Sequence, residues 1–133
     1  MIVVDTTVWI DHLNGRDLPH VRRLHSLLGE IEIVVGDLIL CEILQGLRTE
    51  REARQVEAWM RRFALASMAG DAIAVAAARN FRRLRARGVT VHKTIDLLIG
   101  TWCIEHAHPL LHNDRDYRPM ARHLGLQEIS AAG

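Results

Sequence analysis

The sequence predicts an α/β protein built of three layers, in which a central, mostly parallel sheet is flanked by helices. Two observations support this prediction. Short, wholly apolar runs such as residues 2–4 are typical of strands that are buried on both faces, as strands are in a parallel sheet. Longer segments with helical periodicity separate these runs, and no repeat, low-complexity tract or linker divides the chain. We therefore expect a single domain over residues 1–133.

Turn and capping residues set the ends of the predicted elements. Asn14-Gly15 favours a turn and ends the first helix, whereas Asp37 and Thr94 are expected to be the N-caps of later helices. Thr49-Glu50-Arg51-Glu52 has the pattern of a capping box, and Gly88 is expected to end a long helix as its C′ glycine. The predicted order is strand 2–4, helix 6–13, helix 18–29, strand 31–35, helix 37–47, helix 50–62, a short strand within 63–68, helix 71–87, a connector with strand character at 89–92, helix 95–107, strand 109–112, loop 113–116, helix 118–124 and strand 126–129.

The composition argues against several classes of protein. No apolar run approaches the roughly 18 residues of a transmembrane helix, and the N-terminus lacks the pattern of a secretory signal, so we expect a cytoplasmic protein. Cys41 and Cys103 have apolar neighbours and no second cysteine at metal or redox spacing, which predicts two buried thiols. The net charge of +1 does not indicate a nucleic-acid partner, although Lys93 is the only lysine and arginine matches phosphate geometry well.

Four carboxylates stand in apolar surroundings. Asp5 follows the first strand directly and Asp114 follows the strand at 109–112, so both are expected at the carboxyl edge of the sheet, where α/β proteins bind ligands. Glu42 and Asp96 lie in helices that are largely apolar, with no cation on the same helical face. Each acid also has a simpler role when it is taken alone: a helix cap for Asp5, a surface position for Glu42, a first-turn acid for Asp96 and a turn residue for Asp114.

Carboxylates that share one cleft repel each other, by about 4 kcal/mol for two charges roughly 4 Å apart at an effective dielectric constant near 20. Such a cluster therefore requires protons or a cation, and oxygen ligands alone select a hard ion, Mg²⁺ or Mn²⁺. The ion suits phosphodiester hydrolysis, because it activates water and neutralises developing negative charge. Thr6 either orients a metal-bound water or a phosphate, or caps the helix that it begins. The cluster alone does not distinguish RNA from DNA as the substrate.

These residues resemble the PIN-domain family and, within it, the VapC toxins of toxin–antitoxin systems. The resemblance covers the whole chain and rests on Val3-Val4-Asp5-Thr6-Thr7-Val8-Trp9, on Glu42 in its leucine-rich helix, on Lys93-Thr94-Ile95-Asp96-Leu97-Leu98-Ile99-Gly100 and on Leu110-Leu111-His112-Asn113-Asp114-Arg115-Asp116-Tyr117. One departure is Ile95, where many relatives carry a polar residue, and it removes no metal ligand.

The resemblance implies a PIN fold and a Mg²⁺-dependent endoribonuclease that acts on tRNA or ribosomal RNA. The family's catalytic and metal-binding acids match Asp5, Glu42, Asp96 and Asp114. Asp116 matches a further acid that does not bind the metal directly but lies next to the residues that do. The resemblance also implies a homodimer and a small VapB-type antitoxin that binds operator DNA.

Other patterns leave alternatives open. The arginines at 79–87 and 48–54 indicate either contacts to an RNA backbone or solvated helix faces, and the second row could instead border an antitoxin groove. His106, His108 and His112 raise a zinc hypothesis, but no cysteine or carboxylate completes a closed site at good spacing.

Competing functions fit the residues less well. A dehalogenase-type phosphatase needs an acid two residues after Asp5, where Thr7 stands, and a phospho-receiver domain needs paired acids after the first strand. A non-catalytic PIN-like binding module would normally lack one of the four acids. A DNA-directed 5′ nuclease remains compatible with the same acids.

Overall fold

The computed structural model describes residues 1–129 and residue 131. The single domain expected over residues 1–133 stays a prediction, because residues 130, 132 and 133 lie outside this description. The elements are β1 (Ile2–Val4), α1 (Thr6–Leu13), α2 (Pro19–Leu27), β2 (Ile33–Gly36), α3 (Asp37–Gln45), α4 (Glu50–Met60), β3 (Ala64–Ala66), α5 (Asp71–Ala86), α6 (Thr94–His106), β4 (Leu110–Leu111), a 3₁₀ helix (Arg115–Tyr117), α7 (Arg118–Leu124) and β5 (Glu128–Ile129).

The five strands form one sheet in the order β3-β2-β1-β4-β5, and every pairing in it is parallel. In the register, Val3 lies opposite both Val34 of β2 and Leu110 of β4. The chain proceeds outward from β1 to β3 and then returns to place β4 on the other side of β1. The strand order therefore reverses between β1 and β4, and such a reversal opens a crevice at the carboxyl edge of the sheet.

Apolar strand residues form the centre of the molecule. All three residues of β1 and all four of β2 are buried. Because successive side chains of a strand point to opposite faces of the sheet, both faces are shielded from solvent. This pattern requires helices on both faces and confirms the predicted three-layer α/β fold. None of the helices among the described residues combines the length and the apolarity needed to cross a bilayer.

Several predicted boundaries are confirmed. The Thr49 side chain accepts a hydrogen bond of 3.1 Å from the amide of Glu52, as the capping box predicts. Gly88 follows the end of α5 as predicted, with a φ angle of 81° that glycine adopts without strain. Gly125 ends α7 in the same way, with a φ angle of 82°. The connector at 89–92 forms no strand in the described structure.

Two predicted helix caps are wrong by one position. Lys93 rather than Thr94 is the N-cap of α6, and Gly36 rather than Asp37 is the N-cap of α3. The Asp37 carboxylate accepts hydrogen bonds from the amides of Leu38 (2.8 Å) and Met68 (2.9 Å). Asp37 therefore fixes the segment after β3 to the start of α3, a contact that local sequence does not predict.

The predicted burial of Cys41 is also wrong, because its side chain is exposed, whereas Cys103 is buried as expected. In α3 only Ile39 and Ile43 are fully buried. The helix covers the sheet with one face, and its other apolar residues are partly or fully exposed. An apolar helix that lies in an outer layer is therefore not buried all round.

Candidate active site

The sequence-predicted acids come from four separate segments that meet at the carboxyl edge of the sheet. Asp5 follows β1, and Asp114 follows β4 after two residues. Glu42 lies in the second turn of α3, which begins directly after β2, and Asp96 lies in the first turn of α6. Because β2, β1 and β4 are parallel neighbours, their carboxyl ends bring Glu42, Asp5 and Asp114 to the crevice where the strand order reverses. The helix α6 instead precedes β4, and Asp96 in its first turn contacts Tyr117 in the same crevice.

Asp5 is held at the bottom of the crevice and is 3% exposed. One of its oxygens accepts a hydrogen bond of 2.9 Å from the hydroxyl of Tyr117, and the other accepts one of 3.1 Å from the hydroxyl of Thr7. Asp5 occupies the N-cap position of α1 without a side-chain capping hydrogen bond. Burial raises the pKa of Asp5, against the two hydroxyl donors, which lower it. The Asp5 carboxylate is therefore held chiefly by two side-chain hydroxyls, and the amides of Thr6 and Thr7 at the start of α1 also lower its pKa.

Asp96 carries an unsatisfied oxygen. The side chain is 8% exposed, and its Oδ1 lies 3.4 Å from the hydroxyl of Tyr117. Its Oδ2 is buried and has no hydrogen-bond partner among the described residues. Burial raises the pKa of Asp96 to about 6, and repulsion from Asp5, Asp114 and Glu42 adds to this effect against the attraction of Lys93. The carboxylates therefore act on one another electrostatically in the same crevice.

Glu42 is oriented by Thr6. The Thr6 hydroxyl donates a hydrogen bond of 2.7 Å to Oε1 of Glu42, across 36 positions of sequence. Thr6 is 7% exposed, so this contact is shielded from water. Thr6 does not cap α1, whose N-cap is Asp5, and its hydroxyl positions a carboxylate. Its expected role towards a metal-bound water or a phosphate stays a prediction.

Asp114 and Asp116 complete the acidic group. Carboxylate oxygens of Asp96, Asp114 and Asp116 lie within 4.8 Å of one another. Asp114 also caps the 3₁₀ helix by accepting a hydrogen bond of 2.9 Å from the amide of Asp116, so its turn role and its place in the cluster coexist. Asp116 lies beside these acids and is exposed, and its expected supporting role stays a prediction. Lys93 approaches Asp114 at 3.9 Å with a side chain that is 65% exposed.

Two residues in this network were not predicted to hold the acids: Tyr117 was given no role of its own, and His112 was considered only as a zinc ligand. Tyr117 is fully buried, and its hydroxyl lies between Asp5 and Asp96. His112 accepts a hydrogen bond of 3.1 Å at Nδ1 from the amide of Asp114, so its Nε2 carries the proton and donates to Glu128 at 2.8 Å. In the sequence, His112 stands two residues before Asp114, and Tyr117 directly follows Asp116. This proximity to the acids is the signal that could have identified both residues.

The zinc hypothesis for the histidines is not supported by their positions. His112 is engaged with Asp114 and Glu128, and His106 stacks on Trp102 with ring centroids 4.1 Å apart. Within the described part of the chain, the acidic group is the one cluster of three or more metal-ligating side chains. Its donors are carboxylate oxygens, one of them buried without a partner, which fits a hard divalent cation.

Comparison with curated proteins finds relatives along the whole chain. The protein is 29% identical to "VapC ribonuclease Mb1587" of Mycobacterium bovis over 133 positions, which cover 98% of this chain and 98% of that protein. The same identity and coverage are found for "Ribonuclease VapC11" of Mycobacterium tuberculosis.

Solved structures share the fold at low sequence identity. VapBC2 from Rickettsia felis, bound to a DNA fragment from its promoter, gives a TM-score of 0.76 at 16% identity and covers 97% of this chain and 98% of that chain. VapBC-1 from nontypeable Haemophilus influenzae gives 0.75 at 19% identity and covers both chains completely. The family model of the PIN domain matches residues 2–123. The resemblance noted from the sequence is thereby confirmed, and the chain belongs to the PIN domain family.

Proposed function

We propose that this protein is a metal-dependent endoribonuclease and the toxin of a VapBC-type toxin–antitoxin system. The observation that carries the proposal is the meeting of Asp5, Glu42, Asp96 and Asp114 in one crevice, where Asp96 keeps a buried oxygen without a partner. Full-length similarity to proteins named as VapC ribonucleases supports RNA as the substrate. We expect the enzyme to act in the cytoplasm on tRNA or ribosomal RNA.

The four carboxylates are the proposed catalytic residues and metal ligands, and Asp116 adds a further acid beside them. Mg²⁺ fits the oxygen donors, and Mn²⁺ accepts the same ligand set. When it is bound, the ion supplies a water of lowered pKa and neutralises charge that develops on the phosphate. The protein contributes the orientation of the ligands: Tyr117 holds Asp5, and Thr6 holds Glu42.

The partners are proposed by analogy with the structural neighbours. The two neighbours reported above are VapBC complexes, and one of them is bound to a DNA fragment from its promoter. We propose that this chain binds a VapB-type antitoxin, which inhibits it and binds operator DNA, and that the chain forms a homodimer. We expect the antitoxin to be encoded by a small gene just upstream. Size-exclusion chromatography with light scattering of the chain alone, and of the chain co-expressed with the product of that gene, tests both assemblies.

Cleavage of RNA by the purified chain tests the enzymatic proposal. We expect cleavage with Mg²⁺ or Mn²⁺, loss of cleavage in EDTA and recovery when the metal is returned. Asp5→Asn and Asp96→Asn are expected to abolish cleavage while circular dichroism stays unchanged. Asp71→Asn is the matched control, because Asp71 is an exposed first-turn acid of α5 outside the acidic group. Cleavage that persists in EDTA, or in both site variants, contradicts the proposal.

Two further measurements separate the alternatives. Single-stranded DNA of the same sequence, tested in parallel, distinguishes a ribonuclease from a DNA-directed nuclease. Expression of the chain alone is expected to arrest growth, whereas the Asp96→Asn variant is expected to be harmless. Growth arrest by both proteins to the same extent would show that toxicity does not arise from the acidic crevice.

A further inference from the structure

The last strand places a carboxylate next to the segment that carries Asp114. Glu128 of β5 lies opposite Leu110 of β4 in the register, and its Oε1 accepts a hydrogen bond of 2.8 Å from Nε2 of His112. The side chain of His112 is 8% exposed and that of Glu128 is 35% exposed, so the contact lies at the edge of the interior. Glu128 is not among the proposed metal ligands, although only His112 separates it from Asp114.

The two hydrogen bonds of the His112 ring require the same tautomer. The amide of Asp114 can only donate a hydrogen bond, and it donates to Nδ1 at 3.1 Å. The carboxylate of Glu128 can only accept one, so Nε2 must carry the proton of the ring. The bond to Glu128 therefore stabilises the form of His112 that accepts from Asp114, and it also fixes the orientation of the ring.

The same ring contacts the residue that holds two other acids. The rings of His112 and Tyr117 pack with their centroids 4.9 Å apart and with an angle of 48° between their planes. The hydroxyl of Tyr117 donates to Asp5 at 2.9 Å and lies 3.4 Å from Asp96. A rotation of the His112 ring would therefore disturb both the backbone of Asp114 and the packing of Tyr117.

The pairing of β5 with β4 does not depend on the Glu128 side chain. The amide of Leu110 donates a hydrogen bond of 2.9 Å to the carbonyl of Gln127, and the two strands pair through their backbones. Leu126, which precedes β5, is buried in the core. These contacts remain when Glu128 is replaced, so a variant at this position tests the contact to His112 and not the attachment of the strand.

We infer that Glu128 is a positioning residue for the proposed hydrolysis. Its carboxylate holds the ring of His112 in one tautomer and one orientation, and the ring holds the backbone of Asp114 and the side of Tyr117. Glu128 acts through His112 and binds neither the metal nor the substrate. The inference rests on the proposed function and adds to it a role for the last strand, which carries none of the proposed ligands.

The tautomer of His112 can be observed directly. Nitrogen-15 NMR of the metal-free protein at alkaline pH distinguishes a protonated ring nitrogen from an unprotonated one, and His112→Asn assigns the signals. We expect one nitrogen of each kind in the wild type. In Glu128→Ala the two signals should move towards each other, because the ring then exchanges between its two neutral forms. Glu128→Gln offers an amide oxygen to Nε2 and should keep the signals of the wild type.

Cleavage kinetics with Mg²⁺ test the consequence for the reaction. Glu128→Ala is expected to lower kcat about tenfold with KM nearly unchanged, the lower end of the effect of removing a group that orients a ligand. Glu128→Gln removes the same charge but keeps an acceptor, so it should recover most of the lost kcat. In a protein that already carries His112→Ala, Glu128→Ala should cost nothing further, because its effect passes through the ring.

Two further variants complete the set. Glu32→Ala is the matched control, because it removes an exposed acid directly before β2, and it should leave kcat unchanged. If Glu128→Ala does not fold, Glu128→Asp takes its place. This variant keeps the charge, but its shorter side chain loses the 2.8 Å bond to His112, so the same loss of kcat is expected.

The outcomes separate this inference from the proposed function. If the wild type cleaves no RNA, the proposed function fails, and the role of Glu128 in hydrolysis fails with it. If the wild type cleaves RNA but Glu128→Ala keeps the kcat of Glu32→Ala, the inference is wrong while the function stands. Unchanged NMR signals of His112, an equal loss of kcat in Glu128→Gln, or an additional loss in the His112→Ala background also overturns it. A lower KM with unchanged kcat would show that Glu128 merely repels RNA and would refute the positioning role.

Discussion

Replacing Asp96 by asparagine is expected to stabilise the metal-free protein at neutral pH, although it removes a proposed metal ligand. Burial and the neighbouring acids raise the pKa of Asp96 from 3.8 to about 6. The folded protein therefore binds the Asp96 proton more tightly than the unfolded chain does. Stability from this proton is fully present below pH 4 and is lost as the pH rises through 6. Above that pH the folded state contains an ionised carboxylate that it holds unfavourably.

The size of the effect follows from the pKa. A shift of about two units corresponds to about 3 kcal/mol at most, and because the carboxylate faces an open crevice, solvent screening reduces this to on the order of 1–2 kcal/mol. Asparagine keeps the shape of the side chain and an acceptor for the hydroxyl of Tyr117, but it carries no charge. For a chain of this length, the melting temperature should rise by roughly 5 °C.

Thermal unfolding in EDTA, followed by circular dichroism at pH 8 and at pH 4.5, measures this effect. The variant should melt above the wild type at pH 8, and the difference should shrink to about a third at pH 4.5, where Asp96 is protonated in the folded wild type but still largely ionised in the unfolded chain. Added Mg²⁺ at pH 8 should raise the melting temperature of the wild type more than that of the variant. Asp71→Asn, which removes an exposed acid, should show neither effect. A variant that melts at or below the wild type at pH 8 refutes the reasoning.

Variants at three other positions test how the acids are oriented. Tyr117→Phe removes the 2.9 Å hydrogen bond to Asp5, so the pKa of Asp5 should rise, and the pH–rate profile should move to higher pH with a loss of about tenfold in kcat at pH 7. Thr6→Val should lower metal affinity about tenfold by freeing Glu42, whereas Thr6→Ser should retain it, as isothermal titration calorimetry would measure. His112→Ala should lower kcat with little change in KM, because it removes the acceptor for the amide of Asp114. His112→Asn keeps an acceptor and should recover part of the lost kcat. Equal losses of kcat in both variants would count against a role of His112 in positioning Asp114.

Local patterns predicted most of the architecture. The apolar run of β1 and the acid after it, the capping box before α4 and the glycines that end α5 and α7 are each recognisable within a few residues. The meeting of Asp5 with Asp114 followed from one general rule, that parallel strands share a carboxyl edge. These features depend on short-range preferences and on a topology that repeats across α/β proteins.

Features that depend on distant partners were not predicted. The amide of Met68, which Asp37 binds, is 31 positions away, and the hydroxyl that holds Asp5 comes from Tyr117, which is 112 positions away. The exposure of Cys41 depends on which layer α3 occupies, and no periodicity encodes that. Sequence patterns therefore identified the acids, whereas the groups that donate hydrogen bonds to them could be identified only from the three-dimensional structure.

The span between Asp5 and Tyr117 has a consequence for synthesis of the protein. The ribosome makes β1 before β4 and the 3₁₀ helix, so an emerging chain contains Asp5 without the strand and the hydroxyl that fix it until Tyr117, 112 positions later, has been added. Chains that terminate before residue 110 lack a neighbour on one side of β1, together with Asp114 and its amide donor. Formation of the crevice is accordingly a late event, and a fragment released early from the ribosome carries the first acids in an unassembled form.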